Sequence, residues 1–185
     1  HDLPAMLRKI YLAKCLSENN WEAVRKDLNL RPVEGVCGQN TNEEILNILD
    51  KFGITPQAVT LWGTGSPMRE FLWSEEMADA SVYVLLNVDF KDTYSPNDKE
   101  IRNCHINVGT GKEISIRDVA EKVMHEIGFK GQLLWDATKP DGTPRKLTDV
   151  TKLHNLGWHH KIEIDEGIHK LYEWYKLGIC INHKN

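Results

Sequence analysis

The chain has 185 residues, of which 27 are acidic and 23 basic, so its formal net charge is −4. This balance argues against a general nucleic-acid-binding surface, which is usually clearly basic, and no apolar run approaches the roughly 20 residues that span a bilayer. The four cysteines form no C-x-x-C pair and no Cys/His cluster with zinc spacing, which predicts free thiols in a reducing cytoplasm and no metal site.

The first third of the chain is predicted to be helical. Apolar residues at helical spacing predict a helix over about 4–18. The segment NWEAVRKDL predicts a second, short helix. Thr41 and Glu44 have the spacing of a capping box, and the helix that they begin is expected to stop at Gly53. Residues 19–56 are therefore predicted to form a small helical hairpin.

The predicted strands are few and short. AVTLWGTGSPMREFLW, residues 58–73, predicts a strand, a glycine-rich turn and a second strand. CHINVG, residues 104–109, predicts a short strand that a glycine turn closes, and QLLWD, residues 132–136, predicts another. Only about four strands can be found, which is few for a complete doubly wound domain.

Helices alternate with these strands. SEEMADASVYVLLNV predicts a helix with Ser74 as its N-cap, and SIRDVAEKVMHEIG carries a second capping box at Ser115 and Asp118. A short helix and an amphipathic terminal helix follow. The predicted class is therefore α/β, with a small sheet and several helices in a single domain over residues 1–185.

Neither glycine-rich stretch carries a dinucleotide fingerprint. WGTGSP lacks the third glycine of G-x-G-x-x-G and leads into a strand rather than a helix. VGTGKE does lie between a predicted strand and a helix, but it lacks the full phosphate-loop spacing. A turn without a ligand and a direct phosphate cradle both remain open for this stretch.

Trp62 and Arg69 flank the first glycine turn. An aromatic face beside a guanidinium suits a nucleoside diphosphate, because the ring stacks and the guanidinium binds phosphate oxygens with two donors. The alternative is a half-buried hairpin tryptophan and a surface arginine paired with Glu70.

The loop ATKPDGTPRKLTD, residues 137–149, is stiffened by two prolines on either side of Asp-Gly. Asp141 could accept hydrogen bonds from sugar hydroxyls or a base edge, and Lys146 and Arg145 could face phosphate, although a structural role is favoured for Arg145. A surface turn with no ligand is the alternative. Lys9, on the first helix, is either a solvated lysine or a contact to a ligand.

Three stretches of this chain together resemble one family. LWGTGSPMREFLWSEEMADASVYVL, HINVGTGKEISIRDVAEKV and GFKGQLLWDATKPDGTPRKLTDVTKLHNLGW are similar to the C-terminal portion of the GDP-L-fucose synthases, within the extended short-chain dehydrogenase/reductases. The resemblance covers residues 1–18 and 58–177, and residues 19–57 are similar to a helical insertion in one branch of the family. It implies a C-terminal substrate-binding lobe that lacks the NADPH-binding Rossmann lobe.

The resemblance also implies roles for particular residues. His1 matches a histidine near the nicotinamide that acts in epimerisation, so it is expected to be both catalytic and cofactor-binding. The substrate-binding positions that it implies are Lys9, Trp62, Arg69, Asp141 and Lys146. An imidazole suits the return of a proton because its ordinary pKa is about 6.5.

The expected function is that of the C-terminal part of an enzyme that converts GDP-4-keto-6-deoxy-D-mannose to GDP-L-fucose by 3,5-epimerisation and 4-keto reduction. The chain alone is expected to be inactive. Its expected partners are the GDP-sugar, its own Rossmann lobe and a second copy, but no nucleic acid and no membrane. A binding module for nucleotide sugars without chemistry, and a related epimerase or dehydratase for another nucleotide sugar, are the alternatives.

Overall fold

The computed structural model describes residues 3–181 with the exception of 96 and 98, and it describes the last three of these by their backbone alone. The described residues form seven α-helices, a single turn of 3₁₀-helix at Phe90–Thr93, and five strands. The helices are α1 Leu3–Ser17, α2 Trp21–Leu30, α3 Asn42–Lys51, α4 Ser74–Asn87, α5 Ile116–Ile127, α6 Thr151–Asn155 and α7 Ile164–Ile181. The strands are β1 Ala58–Trp62, β2 Met68–Arg69, β3 Ile114–Ser115, β4 Gln132–Asp136 and β5 Arg145–Lys146.

The chain divides into two compact units, whereas the sequence predicted one lobe over 1–185. The first unit comprises the chain up to Pro67, the segment Ile116–Gly142, and the chain from Ile168 onward. The second comprises Met68–Ser115 and Thr143–Gly167. The α/β class is confirmed, with small sheets and several helices.

The first unit is built on a pair of parallel strands. β1 pairs with β4 in a register that runs from Ala58 opposite Gln132 to Trp62 opposite Asp136. Helix α1 packs against β1, against α2 and against α5. Its side chains from Met6 to Leu16 are mostly buried, so α1 lies at the centre of the apolar core of this unit.

Helices α2 and α3 occupy the segment that was predicted to be a helical hairpin. The capping box at Thr41 and Glu44 is confirmed, since each side chain accepts a hydrogen bond from the backbone amide of the other residue. In α2, the carboxylate of Asp27 is fully buried. It accepts hydrogen bonds from Nε of Arg8 at 2.8 Å and from the hydroxyl of Tyr175 at 2.5 Å. This network connects α2 to α1 and α7.

The second unit contains a three-stranded sheet in the order β3-β2-β5. β2 is antiparallel to β3 and parallel to β5. The apolar core of this unit is formed by Ala80, Leu153 and Trp158. The indole nitrogen of Trp158 donates to Asp79 at 2.8 Å, which satisfies its polar group inside the cluster.

The two strands predicted within 58–73 are present as β1 and β2, although they lie in different sheets. Two other local predictions were wrong. Residues 104–109 show the half-buried and exposed alternation of a strand, but they pair with no strand among the described residues, and an extended segment without a neighbour forms no ladder. Ser74 is the first residue of α4, and the N-cap position is taken by Trp73 without a side-chain cap.

Candidate nucleotide-sugar site

Trp62 closes β1 at the edge of the first unit. Its side chain is 54% exposed, and Nζ of Lys139 lies 5.6 Å from the ring centroid. The half-buried hairpin tryptophan that was the alternative interpretation is therefore wrong. A largely exposed indole with a cation beside it can accept a planar ring or an anionic group.

Asp141 connects the proline loop to the first glycine turn. Its carboxylate accepts a hydrogen bond from the backbone amide of Thr64 at 2.6 Å and another from the Thr64 hydroxyl at 2.7 Å. These two bonds hold the pKa of Asp141 below its ordinary value. A Cβ on Gly63, whose φ is +80°, would collide with the same carboxylate, so the close approach depends on this glycine.

The other side of the glycine turn is held by an aromatic ring and a guanidinium. The guanidinium carbon of Arg117 lies 4.7 Å from the ring centroid of Trp135, and the guanidinium donates to the carbonyl of Thr64 at 2.6 Å. A Cβ on Gly65 would meet the Trp135 ring at 2.7 Å. Protein contacts on both sides thus fix the backbone that follows Trp62.

Arg69 and Lys146 are paired in register. Arg69 of β2 lies opposite Lys146 of the parallel strand β5, and residues opposite each other on neighbouring strands share a face of the sheet. Arg69 is half-buried and donates to the carbonyl of Met68 at 2.7 Å, while Lys146 is exposed. Two positive charges therefore lie side by side in the second unit.

Arg145 does not belong to this pair of charges. Its guanidinium makes a two-point contact with Glu113, with Nε at 2.8 Å from Oε2 and a terminal nitrogen at 2.5 Å from Oε1. This ion pair raises the pKa of Arg145. The structural role predicted for Arg145 is confirmed.

Glu70 occupies the second glycine turn. Its Oε1 accepts hydrogen bonds from the backbone amides of Thr110 at 2.6 Å and Gly111 at 2.7 Å, and its Oε2 accepts one from the amide of Thr148 at 3.0 Å. Partial burial alone would raise the pKa of Glu70, but the hydrogen bonds from Thr148, Gly111 and Thr110 outweigh it and lower the pKa.

This arrangement overturns two alternatives that the sequence left open. The VGTGKE stretch does not cradle a ligand phosphate, because a carboxylate of the chain itself accepts its amides. Nor does Glu70 pair with Arg69, because the guanidinium donates to the carbonyl of Met68 while the carboxylate accepts from backbone amides.

Lys9 is half-buried on α1 rather than fully solvated. Its Nζ donates to the carbonyl of Phe52, just beyond the end of α3, at 2.7 Å and to the carbonyl of Thr60 at 3.3 Å. Burial lowers the pKa of Lys9. A cavity of about 190 Å³ lies beside it; its lining residues are Ala5, Arg8, Leu12, Val33, Leu49, Phe52 and Ile54.

The remaining predicted position, His1, lies outside the described residues. The predicted substrate positions fall into two sets. Lys9, Trp62 and Asp141 belong to the first unit, and Arg69 and Lys146 to the second.

The described residues do not fit a dinucleotide site. The amides of the second glycine turn bind Glu70, and in the first turn the amides of Gly63, Thr64 and Ser66 bind Asp136, Asp141 and Thr64 respectively. Among the same residues no group of three or more His, Cys, Asp or Glu could hold a metal ion, and no helix is long and apolar enough to cross a membrane.

Sequence reasoning missed three residues that shape these sites: Thr64, Glu70 and Lys139. Thr64 and Lys139 stand inside the stretches that were singled out, but their partners lie far away in sequence. The position of Glu70 directly after Arg69 marks it as a neighbour of the candidate site. Its hydrogen-bond partners, however, lie about 40 and 78 positions away in the sequence. Contacts of this kind cannot be inferred from spacing.

This α/β chain is similar to a family of epimerases and dehydratases and to enzymes that act on GDP-sugars. The family model of the NAD dependent epimerase/dehydratase family matches residues 28–109. GDP-L-fucose synthase 1 of Arabidopsis thaliana is 46% identical over 124 residues, which are 67% of this chain and 35% of that protein. GDP-L-fucose synthase of Escherichia coli is 45% identical over 117 residues, which are 63% of this chain and 36% of that protein.

A solved structure matches more of the chain. The GDP-mannoheptose C4 reductase of Campylobacter jejuni with NADP bound is 43% identical with a TM-score of 0.80, over 95% of this chain and 46% of that one. The resemblance to the GDP-L-fucose synthases is thus confirmed, and the chain is related to GDP-sugar epimerases and reductases. It spans about a third of the length of the curated relatives that it matches.

Proposed function

We propose that this chain is the substrate-binding part of an NADPH-dependent GDP-sugar epimerase/reductase. The observation that carries the proposal is the in-register pair of Arg69 and Lys146. Like charges directly opposite one another in a sheet repel. A diphosphate relieves this repulsion, since a guanidinium and an ammonium both donate charge-assisted hydrogen bonds to phosphate oxygens.

The first unit carries its own candidate contacts for a nucleotide sugar. The exposed face of Trp62, with Lys139 beside it, suits a stacked ring. We further propose that Lys9 contacts the substrate, as the resemblance to the GDP-L-fucose synthases implies. Its hydrogen bonds to Phe52 and Thr60 leave one of its three ammonium donors for a ligand.

The substrate that the proposal names is GDP-4-keto-6-deoxy-D-mannose, and the product is GDP-L-fucose. The 4-keto group acidifies the protons on C3 and C5, so each centre can be inverted by removing a proton from one face and returning it on the other. His1 is the proposed group that returns the proton. NADPH would supply the hydride for reduction at C4, and we assign its binding to a Rossmann lobe outside this chain.

A GDP-heptose is the second candidate substrate. The heptose reductase aligns with 95% of the chain at 43% identity, so only a small part of residues 19–57 can be unmatched. The two candidates differ only in the sugar.

The proposed partners include the Rossmann lobe and a second copy of the enzyme. Helix α4 turns an apolar stripe outward, in which Val82 is 54%, Leu85 81% and Leu86 74% exposed. The extended residues 104–108, on the same unit, pair with no strand within the described part of the chain. We propose that the Rossmann lobe covers this stripe and that its sheet pairs with the extended segment. The relatives are long enough to contain such a lobe, since this chain spans only about a third of their length.

Calorimetric titration of the chain with GDP and UDP tests the binding part of the proposal. GDP should bind to the chain. Arg69→Gln and Lys146→Gln should each raise the dissociation constant for GDP by about tenfold, because each removes one charge-assisted contact. Glu113→Gln, which disturbs only the separate Arg145 pair, is the matched control. Equal affinity for UDP, or no effect of Arg69→Gln, would contradict the proposal.

Turnover of the intact enzyme decides the substrate. It should oxidise NADPH with GDP-4-keto-6-deoxymannose but not with a 4-keto-GDP-heptose, whereas the reverse preference would establish the second candidate. The chain by itself should oxidise no NADPH. Clear activity of the chain alone would contradict the proposal that a separate Rossmann lobe binds NADPH.

A further inference from the structure

We propose that Glu70 is a positioning residue that sets the diphosphate-binding geometry of Arg69 and Lys146. This inference rests on the proposed function, because it concerns the same pair of cations. Glu70 follows Arg69 directly, and Thr148, which it binds, lies two residues beyond Lys146. The carboxylate that follows β2 therefore contacts the segment just beyond β5.

The hydrogen bonds that Glu70 accepts from three backbone amides form a bridge. Oε1 accepts from the turn amides of Thr110 and Gly111, while Oε2 accepts from Thr148 after β5. The bonds tie β2, β5 and the glycine turn to one another in addition to the sheet pairing. The strands themselves overlap by only two residues, so the sheet alone provides little restraint on their register.

Space for this carboxylate is provided by a residue that has no side chain. A Cβ on Gly109 would meet Oε1 of Glu70 at 2.5 Å and its Cδ at 2.9 Å. The glycine turn thus binds an anion with its amides, as phosphate loops do, but the anion is the chain's own Glu70. Its charge is stabilised there by backbone amides, while the guanidinium of Arg69 donates to the carbonyl of Met68.

Both oxygens of the side chain must be acceptors for the bridge to hold. Glutamine keeps the size of the residue but replaces one oxygen with an NH₂ group, which can only donate. In Glu70→Gln this donor must face either the amide of Thr148 or the amides of the turn, so at least one backbone amide loses its acceptor. The bridge is weakened on that side, and the two cations are held less firmly at one separation.

The second unit offers a matched control. Glu76 is also a carboxylate that binds backbone amides, since its Oε1 accepts from Lys161 at 2.5 Å and from Ile162 at 3.1 Å. Neither of these partners is next to Arg69 or Lys146. Glu76→Gln should therefore lower the melting temperature in the same way as Glu70→Gln but should leave ligand affinity unchanged.

The experiment is a titration of the chain and its variants with GDP and with inorganic pyrophosphate. We expect Glu70→Gln to raise the dissociation constants of both ligands by about tenfold, with Glu76→Gln unchanged. If Glu70→Gln does not fold, Glu70→Asp takes its place, because its carboxylate keeps the charge but is one methylene too short for all three amides; we expect a rise of about threefold.

The outcomes separate the inference from the function on which it rests. If Arg69→Gln and Lys146→Gln do not change the affinity for GDP, the proposed function fails. If those two variants weaken binding and Glu70→Gln, or Glu70→Asp in its place, binds GDP and pyrophosphate as the wild type does, only the role of Glu70 is overturned. A loss for GDP without a loss for pyrophosphate also overturns it, since the inference concerns the diphosphate contacts alone.

Discussion

The carboxylate of Asp141 binds both the amide and the hydroxyl of Thr64, 77 positions earlier in the chain. The contact joins the proline loop to the glycine turn that follows Trp62. Asp141 was predicted to bind the substrate, and its geometry shows a role in holding the turn. The two roles make different predictions for the same substitutions.

Asp141→Ala should raise the dissociation constant for GDP by about fivefold, because two hydrogen bonds worth about 1 kcal/mol each restrain the turn beside Trp62. Asp141→Asn should have little effect, since its oxygen can accept from the amide and its NH₂ can donate to the Thr64 hydroxyl. Titration with GDP measures both.

The hydroxyl of Thr64 allows a further check by a double-mutant cycle. Thr64→Val and Asp141→Ala should be less than additive, because each breaks the same contact. If Asp141→Asn is as damaging as Asp141→Ala and the cycle is additive, Asp141 binds the ligand directly instead.

Asp27→Asn should lower the free energy of unfolding by about 3 kcal/mol, the lower end for breaking a buried ion pair. The substitution leaves Arg8 without its carboxylate partner, while Tyr175 keeps only a neutral acceptor. Urea unfolding measures the change. Glu34→Gln, in the exposed ion pair with Lys51, is the control and should change it by less than about 0.5 kcal/mol. A loss of that small size for Asp27→Asn would show that the buried network does not anchor α2.

The histidines of the second unit should make its stability depend on pH. The rings of His154 and His159 stack at 4.2 Å. Burial, and then the neighbouring His159 and His160, lower the pKa of His154 below 6.5. The unfolded chain therefore binds a proton at His154 before the folded chain does.

This stabilisation is complete above pH 6.5 and is lost as the pH falls from 6.5 through the folded pKa. The melting temperature should thus drop between pH 7.5 and 5.5, and the drop should be smaller in His154→Gln. His125→Gln, which alters a different helix, is the control. An identical pH dependence in wild type and His154→Gln would contradict the prediction.

The exposed stripe of α4 can be made polar without affecting the fold of the chain. Leu85→Ser and Leu86→Ser should change the free energy of unfolding by less than about 0.5 kcal/mol each, as surface substitutions usually do. Val84→Ser, in contrast, should destabilise by about 1–2 kcal/mol, because Val84 packs on the Ala80 cluster.

The same stripe variants test the proposed docking of the Rossmann lobe. In the intact enzyme, Leu85→Ser with Leu86→Ser should lower the melting temperature and expose apolar surface to a dye, whereas the isolated chain should show neither change. If the intact enzyme is unaffected, the stripe is not the docking surface.

Local chemistry made several features predictable. The capping box of Thr41 and Glu44 involves residues three apart, so it could be read from spacing and was confirmed. The helices α1, α2, α3, α5 and α7 follow from apolar periodicity within each segment. The helix α4 was also placed correctly, but its cap at Ser74 was not, because Trp73 takes that position without a side-chain bond.

The sheets could not be predicted from such patterns. Residues 104–109 alternate as a strand would, but pairing depends on a neighbour elsewhere in the chain, and the described residues provide none. Conversely, β5 forms inside a loop that composition alone describes as a turn, because β2 lies beside it. Strand formation is a property of the pair.

The sequence by itself determined the helices, the glycine turns and the residue types of the proposed site, since these depend on neighbours within a few positions or on a whole motif. Only the tertiary structure decided how the charges are used. In the folded chain, Arg69 lies opposite Lys146, Glu70 accepts hydrogen bonds from the glycine turn, and Asp141 accepts them from Thr64. The physical reason is that a carboxylate binds whichever donors the fold brings within about 3 Å, and those donors lie far away in sequence.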